Sequence, residues 1–263
     1  MKTKTIIRKI ICKVSNKLKD VDFRHPQAKL KLSEIIVNWE IIVIGILSSL
    51  SSYSFRRFYE WLKQFNIFKL NERSRLQRLI NKYWQYVAIF LKCPTIMNIA
   101  DSYSVELIHP TRYNRKKQLN SFIRKGFSNN RWMIGRKIGI VINSSFEIVH
   151  YNTDLAGGTD KTFNKDFSNI NGIILADTGY NDKDKSQIPK NLKICKKGTW
   201  NDRMLIESLF SLWKRMLNTK QMMVKTLNGF NARASYLCAL TNILFDLNIE
   251  CGYNKFSMKQ WTL

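Results

Sequence analysis

Three acidic side chains stand where their type and spacing could do chemistry. Asp101 closes the apolar run "IMNIA", and Asp177 closes "GIILA" two residues ahead of Gly179-Tyr180. An aspartate at the carboxyl end of a strand, with a glycine beyond it, sits where open α/β sheets bind their ligands. The same residue also serves as an ordinary turn or helix-cap aspartate. Glu207 lies in "GTWNDRMLIESLFSLWKRML", residues 198–217. At about 100° per residue, Trp200, Arg203, Glu207 and Lys214 fall within roughly 60° of one another on a helix. Leu205, Ile206, Leu209, Phe210, Leu212, Trp213, Met216 and Leu217 occupy the opposite side. By periodicity alone Glu207 is a solvated glutamate beside an arginine, a pairing worth a few tenths of a kcal/mol.

The elements that must carry these residues follow from the pattern around them. Residues 1–92 read as helical: a basic segment, an apolar helix over 32–47, and further helices over 55–65 and 72–92. A helix, a polar turn and a basic helix are compatible with a helix-turn-helix and equally with a plain bundle. After Cys93-Pro94 the pattern turns to strands. Strands are expected over 95–108, over 131–143 and 146–154 (joined at Ser144-Ser145), over 171–181 and over 192–198. Residues 112–130 read as a basic connector, "KTFNKDF" as a short helix, and 198–217 and 232–249 as long helices. The expectation is a mixed α/β sheet with helices on its faces, preceded by an all-helical region, with the boundary between residues 92 and 93.

Composition narrows the partners. With 44 Lys+Arg against 19 Asp+Glu the chain carries +25, and both halves share it: residues 1–100 hold 19 basic and 6 acidic side chains. A polyanionic partner, nucleic acid above all, accounts for such a balance. An AT-rich coding sequence, which raises Lys, Asn and Ile together, accounts for it as well. The 44% hydrophobic fraction with 15 Phe, 10 Tyr and 7 Trp is enough for a core, which excludes global disorder. Five isolated cysteines, with no C-x-x-C pair, point to buried thiols in a reducing compartment, the cytoplasm. No signal peptide is expected, and "IIVNWEIIVIGIL" is too short and too polar for a membrane span.

Taken together, "ADSYS", "LADTGY" and W-x₂-R-x₃-E-x₆-K, in that order on strand, strand and helix, resemble the acidic triad of DDE transposases from bacterial insertion sequences. In the subgroup with the Y-R-E-K signature, a tyrosine, an arginine, the glutamate and a lysine follow this spacing. Here the four positions are Trp200, Arg203, Glu207 and Lys214, with tryptophan for tyrosine. The resemblance covers roughly residues 30–250 and includes "ELIHPTRYNRKKQ" and "MIGRKIGIVINSSFEIVHYNTD". Thr178 stands where lysine is common, and "TDLAGGTDKT" departs from the family's Thr-Pro-x-Asn-x-x-Asp form; Asp160, the counterpart of its last aspartate, is given no catalytic role.

The resemblance implies an RNase H-like catalytic domain at 93–263 and a DNA-binding helical region at 1–92. It makes Asp101, Asp177 and Glu207 the catalytic carboxylates and the ligands of two divalent cations, Mg²⁺ or Mn²⁺. Arg203, Lys214, Trp200, Arg112, Arg115, Lys116 and Lys117 become candidate DNA contacts; each has an ordinary reading as a solvated or packing side chain. The implied partners are double-stranded DNA, as terminal inverted repeats and as target, and a second copy pairing two ends at the nucleoid. Strand cleavage at transposon ends and strand transfer are the implied reactions. A transposase-derived protein that grips DNA without cutting it, and a basic RNA-binding protein, are the competing readings.

Overall fold

Apolar residues recur every three to four positions at the start of the chain and every second position in its middle, and the fold divides accordingly. It is a computed structural model that describes residues 3–19, 32–51, 54–113, 122–128, 131–195, 203–217, 219, 222, 224–257 and 261. Met1–Leu91 and Asn228–Leu263 form one unit, and Lys92–Leu227 form the other.

The first unit is helical. Helix α1 (Thr3–Lys19) buries Ile6, Ile7, Ile10 and Val14 along one stripe, and α2 (Leu32–Leu50) is buried from Ile42 onward. Helix α3 (Phe55–Lys63) starts at the Ser54 cap. Helix α4 (Arg73–Tyr83) starts at Glu72, whose carboxylate takes the Ser74 hydroxyl and the amides of Ser74 and Arg75 and is thereby held down at about 2. A 3₁₀ stretch over Trp84–Phe90 replaces the last part of the helix expected to run to residue 92.

The second unit is built on a sheet: β1 (Met97–Ile108), a helical turn α5 (Pro110–Tyr113), β2 (Arg124–Ser128), β3 (Arg131–Asn143), β4 (Ile148–Leu155), a turn of helix α6 (Asn164–Phe167), β5 (Ile173–Ala176), β6 (Leu192–Ile194) and helix α7 (Arg203–Met216). The chain returns to the first unit with α8 (Leu227–Glu250), apolar all round and buried along most of its length, as a central helix must be. Its Asn242 amide donates to the Phe90 carbonyl, and its half-buried Arg233 donates to the carbonyls of Ser48 and Ser51 at the end of α2. The sequence reading drew one boundary at 92/93; the contacts put residues 228–263 with the N-terminal helices.

The sheet has six strands in the order β2-β3-β1-β5-β6, with β4 also paired to β3. Strands β1, β2 and β4 run antiparallel to β3, whereas β1–β5 and β5–β6 are parallel. Strand β2 falls inside the stretch read from sequence as a basic connector, because its "RKGFS" carries little apolar alternation. One face of the sheet packs Ala100, Val141, Val149, Ile174 and Ala176 against Phe163, Phe167 and Tyr180. The other carries Ile99, Tyr103, Val105, Ile138 and Ile140, all buried. Of the five cysteines, all free thiols, Cys238 is buried as expected, while Cys12 and Cys93 are exposed. Among the described residues no helix is long and apolar enough to cross a membrane.

The parallel pairing of β1 with β5 is short, Met97↔Ile173 to Ile99↔Leu175, and is fixed at its start by polar groups. Fully buried Asn98 donates to the carbonyls of Thr95 and Asn171 and accepts the Thr95 amide. Gly172 turns the chain into β5 at φ +86°, with the Thr95 carbonyl oxygen 2.1 Å from where a Cβ would stand. Gly172→Ala therefore meets both a left-handed backbone and fixed main chain. The expected loss is at least about 2 kcal/mol in urea unfolding.

Candidate active site

Strand alternation sets which way each acidic residue faces. Tyr103, on the same face of β1 as Asp101, packs its ring against Phe210 at 5.1 Å and edge-on to Trp213 at 5.7 Å. Helix α7 thus covers the Asp101 face of β1. On β5, Ile174 and Ala176 belong to the opposite cluster, so Leu175 and the extended Asp177 turn toward the α7 side. Ile99 is level with Leu175. Continuing that register by one pleat sets Asp177 level with Asp101 on the neighbouring strand, at a strand spacing of about 5 Å. Both aspartates are half-buried. Asp101 Oδ1 accepts the Ser102 amide at 2.7 Å, and Asp177 Oδ1 accepts the Gly179 amide at 2.8 Å as the cap of the 3₁₀ turn Thr178–Tyr180.

Helix α7 is the amphipathic helix that its periodicity predicts. Ile206, Leu209, Phe210, Trp213 and Leu217 are buried, while Glu207 and Lys214 are exposed. Phe210 and Trp213 of the helix meet Tyr103, and beyond the helix the Thr219 and Tyr103 hydroxyls bond at 2.8 Å and the Met222 amide donates to the Glu106 carbonyl. Burial pushes the Tyr103 phenol above its ordinary pKa, so it stays neutral under Lys214, whose Nζ lies 5.7 Å from the ring centroid. Among the described residues, no three acidic, His or Cys side chains gather as a metal-ligand set. The structure thus brings Asp101 and Asp177 level and does not close a triple with Glu207.

The remaining sequence candidates are only partly visible. Trp200, Arg115, Lys116 and Lys117 lie outside the described residues. Arg112 falls in α5 and Arg203 opens α7, with their side chains outside the description.

A fourth carboxylate, given no catalytic role from the sequence, stands at the site. Asp160 Oδ2 is 3.0 Å, and Asp177 Oδ1 2.9 Å, from where a Cβ on Gly179 would be. The missing side chain is what lets two carboxylates from separate loops meet there. Asp160 is balanced by Lys137 of β3, whose Nζ donates to Asp160 Oδ1 and to the Gly158 carbonyl, both at 2.9 Å. Two sequence signals bear on this: the position of Asp160 as counterpart of the family's last aspartate, and the glycine in "ADTGY". Lys137 and Asp160 are 12% and 22% exposed, so this pair is shielded more than a surface ion pair. Lys137→Met leaves one carboxylate facing another and costs about 1–3 kcal/mol in denaturant unfolding; adding Asp160→Asn to the same chain recovers most of that loss.

A family model described as a transposase DDE domain matches residues 92–237, more than half of the chain. The matched span takes in all six strands and α7, and with them Asp101, Asp177 and Glu207. No curated protein and no solved structure matches the chain. A polycationic chain with Asp101 within one strand and Asp177 just past the end of the parallel strand beside it, matched over that whole sheet, belongs to the transposase DDE domain family.

Proposed function

We propose that the chain cuts DNA at the ends of a bacterial insertion sequence and joins the freed 3′-hydroxyl to target DNA, with Asp101, Asp177 and Glu207 as its catalytic carboxylates. The observation that carries this reading is the level register of Asp101 and Asp177 beneath the helix that bears Glu207. The strand order, three antiparallel strands followed by two parallel to the first, supports an RNase H-like core.

Hard carboxylate oxygens are the donor type that Mg²⁺ and Mn²⁺ prefer, so the residues fit divalent cations in chemistry. Asp101, Asp177 and Glu207 would hold two such ions, which supply activation of the attacking oxygen and stabilisation of the leaving one in an in-line displacement. The protein's own part is to aim these groups. The strand pairing fixes the two aspartates, and the Asp177 carboxylate is further pinned by the Gly179 amide. A glutamate on the polar side of α7 is then functional, because a core-facing one could not reach a phosphodiester. Lys214 and Arg203, on the same stripe, together with Arg112, Arg115, Lys116 and Lys117, would hold phosphates without reading sequence. Trp200 would stack on an exposed base. The helical unit at residues 1–92 adds a further DNA contact, and a homodimer pairs two inverted-repeat ends in the cytoplasm at the nucleoid. Trp200 at the tyrosine position favours a second reading, a transposase descendant that holds DNA without cutting it.

Glu207→Gln separates the two. On labelled inverted-repeat DNA with Mg²⁺ or Mn²⁺, the wild-type chain is expected to cleave and join. The variant binds the same DNA within a few-fold and leaves it intact. Binding without cleavage by both proteins establishes the second reading instead.

A further inference from the structure

The β2–β3 hairpin projects beyond the rest of the sheet. The pairing of β3 with β1 ends at Ile108↔Ile134, so Arg131–Met133 pair with β2 alone. On this two-stranded tip Phe127 and Trp132 sit directly opposite each other, with rings 5.3 Å apart and nearly edge-on. Each shows 58% of its surface to solvent. Two large aromatics exposed side by side on a soluble unit are an apolar patch that calls for a partner.

The surroundings say which partner. Lys125 Nζ lies 4.4 Å from the Trp132 ring centroid, and Arg124, Lys125 and Arg131 are all exposed. Between Glu106 and Glu147 the chain has no acidic residue and nine Lys and Arg. Cross-strand partners share a face, so Lys125, Phe127, Trp132 and Ile134 lie together while Arg124 is on the opposite face. The Arg131 guanidinium meets Glu106 at 3.1 Å, and the cation over the aromatic pair is Lys125. An aromatic patch inside a one-sign positive field repels a second copy of itself and suits a polyanion with flat faces to stack on.

The tip also has a defined place relative to the aspartates. Asp101 pairs with Ile140, and Trp132 lies eight residues earlier on β3. At about 3.3 Å per residue the tip stands roughly 25 Å from the aspartate level, in the direction in which β1 and β5 run. Along a duplex that is about seven or eight base-pair steps. We propose that the β2–β3 hairpin is a second DNA contact, an aromatic wedge of Phe127 and Trp132 with Lys125 beside it. It inserts at a base step flanking the DNA held at the carboxylates. Apolar side chains that enter the stack in this way kink the duplex and widen the surface it presents to the protein. The inference rests on the DNA-acting reading above and adds a place and a mode of contact to it.

The test uses the full chain and a fluorescein-labelled random-sequence duplex, with affinity measured across a range of salt concentrations and sedimentation run in parallel. The double substitution Phe127→Ala/Trp132→Ala is expected to weaken binding about tenfold or more with the salt slope unchanged, because stacking releases no counterions. Lys125→Gln is expected to flatten the slope by about one. Trp132→Phe, which keeps a ring, retains most of the affinity. If the wild-type chain binds the duplex and the double alanine variant binds it equally well, the hairpin inference falls while the transposase reading stands. If the wild-type chain does not bind DNA, the DNA-acting reading itself falls. If the alanine pair changes the sedimenting species while DNA affinity holds, the patch is a self-association surface and the inference is overturned.

Discussion

The sheet-bearing unit depends on a three-residue ladder. Where β5 begins beside β1, the Asn98 side chain ties the Thr95 and Asn171 main chains together, and Gly172 makes the only kind of turn that leaves room for the Thr95 carbonyl. A slip of one residue there would turn Asp177 to the opposite face of the sheet. Parallel strands this short have little hydrogen bonding of their own to resist such a slip. The fully buried asparagine does that work, at the cost of needing every one of its hydrogen bonds satisfied.

From that ladder the two faces of the sheet take separate duties. The face of Ala100, Ile174 and Ala176 is closed by Phe163, Phe167 and Tyr180 and serves stability. The face of Asp101 and Tyr103 is covered by α7, which buries Ile206, Leu209, Phe210 and Trp213 along one side. The same helix is a core element on that side and carries Glu207 and Lys214 on its exposed side. Lys137 links the two faces electrostatically: it sits on the closed face, yet the carboxylate that it balances, Asp160, shares the space over Gly179 with Asp177.

Much of this was legible in the residues. The strands at 95–108 and 131–143, the strand ending before Asp177 and the amphipathic α7 follow from periodicity, because each has one apolar face and a well-marked break. The role proposed for Glu207 is not legible from its own helix, where a polar stripe reads as solvent; only the order of three motifs along the chain raises it. Strand β2 was missed because Arg124-Lys125-Gly126 looks like a loop, and its stability comes from β3 rather than from its own residues. The motif in "TDLAGGTDKT" marks Asp160 as the counterpart of an aspartate without giving it a role; its approach to Asp177 across a glycine is tertiary, and no local pattern announces it. The assignment of α8 to the N-terminal helices was likewise hidden, since an all-round apolar helix does not say which neighbours will bury it.

That return of the chain bears on synthesis at the ribosome. Helices α1 to α4 leave the exit tunnel before the sheet, but the helix that fills their centre leaves after it. The sheet-bearing unit, contiguous in sequence, can form while the earlier helices still wait with unfilled apolar faces. A nascent chain is thus able to assemble its carboxylate-bearing sheet before its helical unit is complete, and a chain released early would keep the sheet and lose the helical core. Any truncation before residue 228 thereby yields a sticky, chaperone-dependent fragment rather than a smaller folded protein.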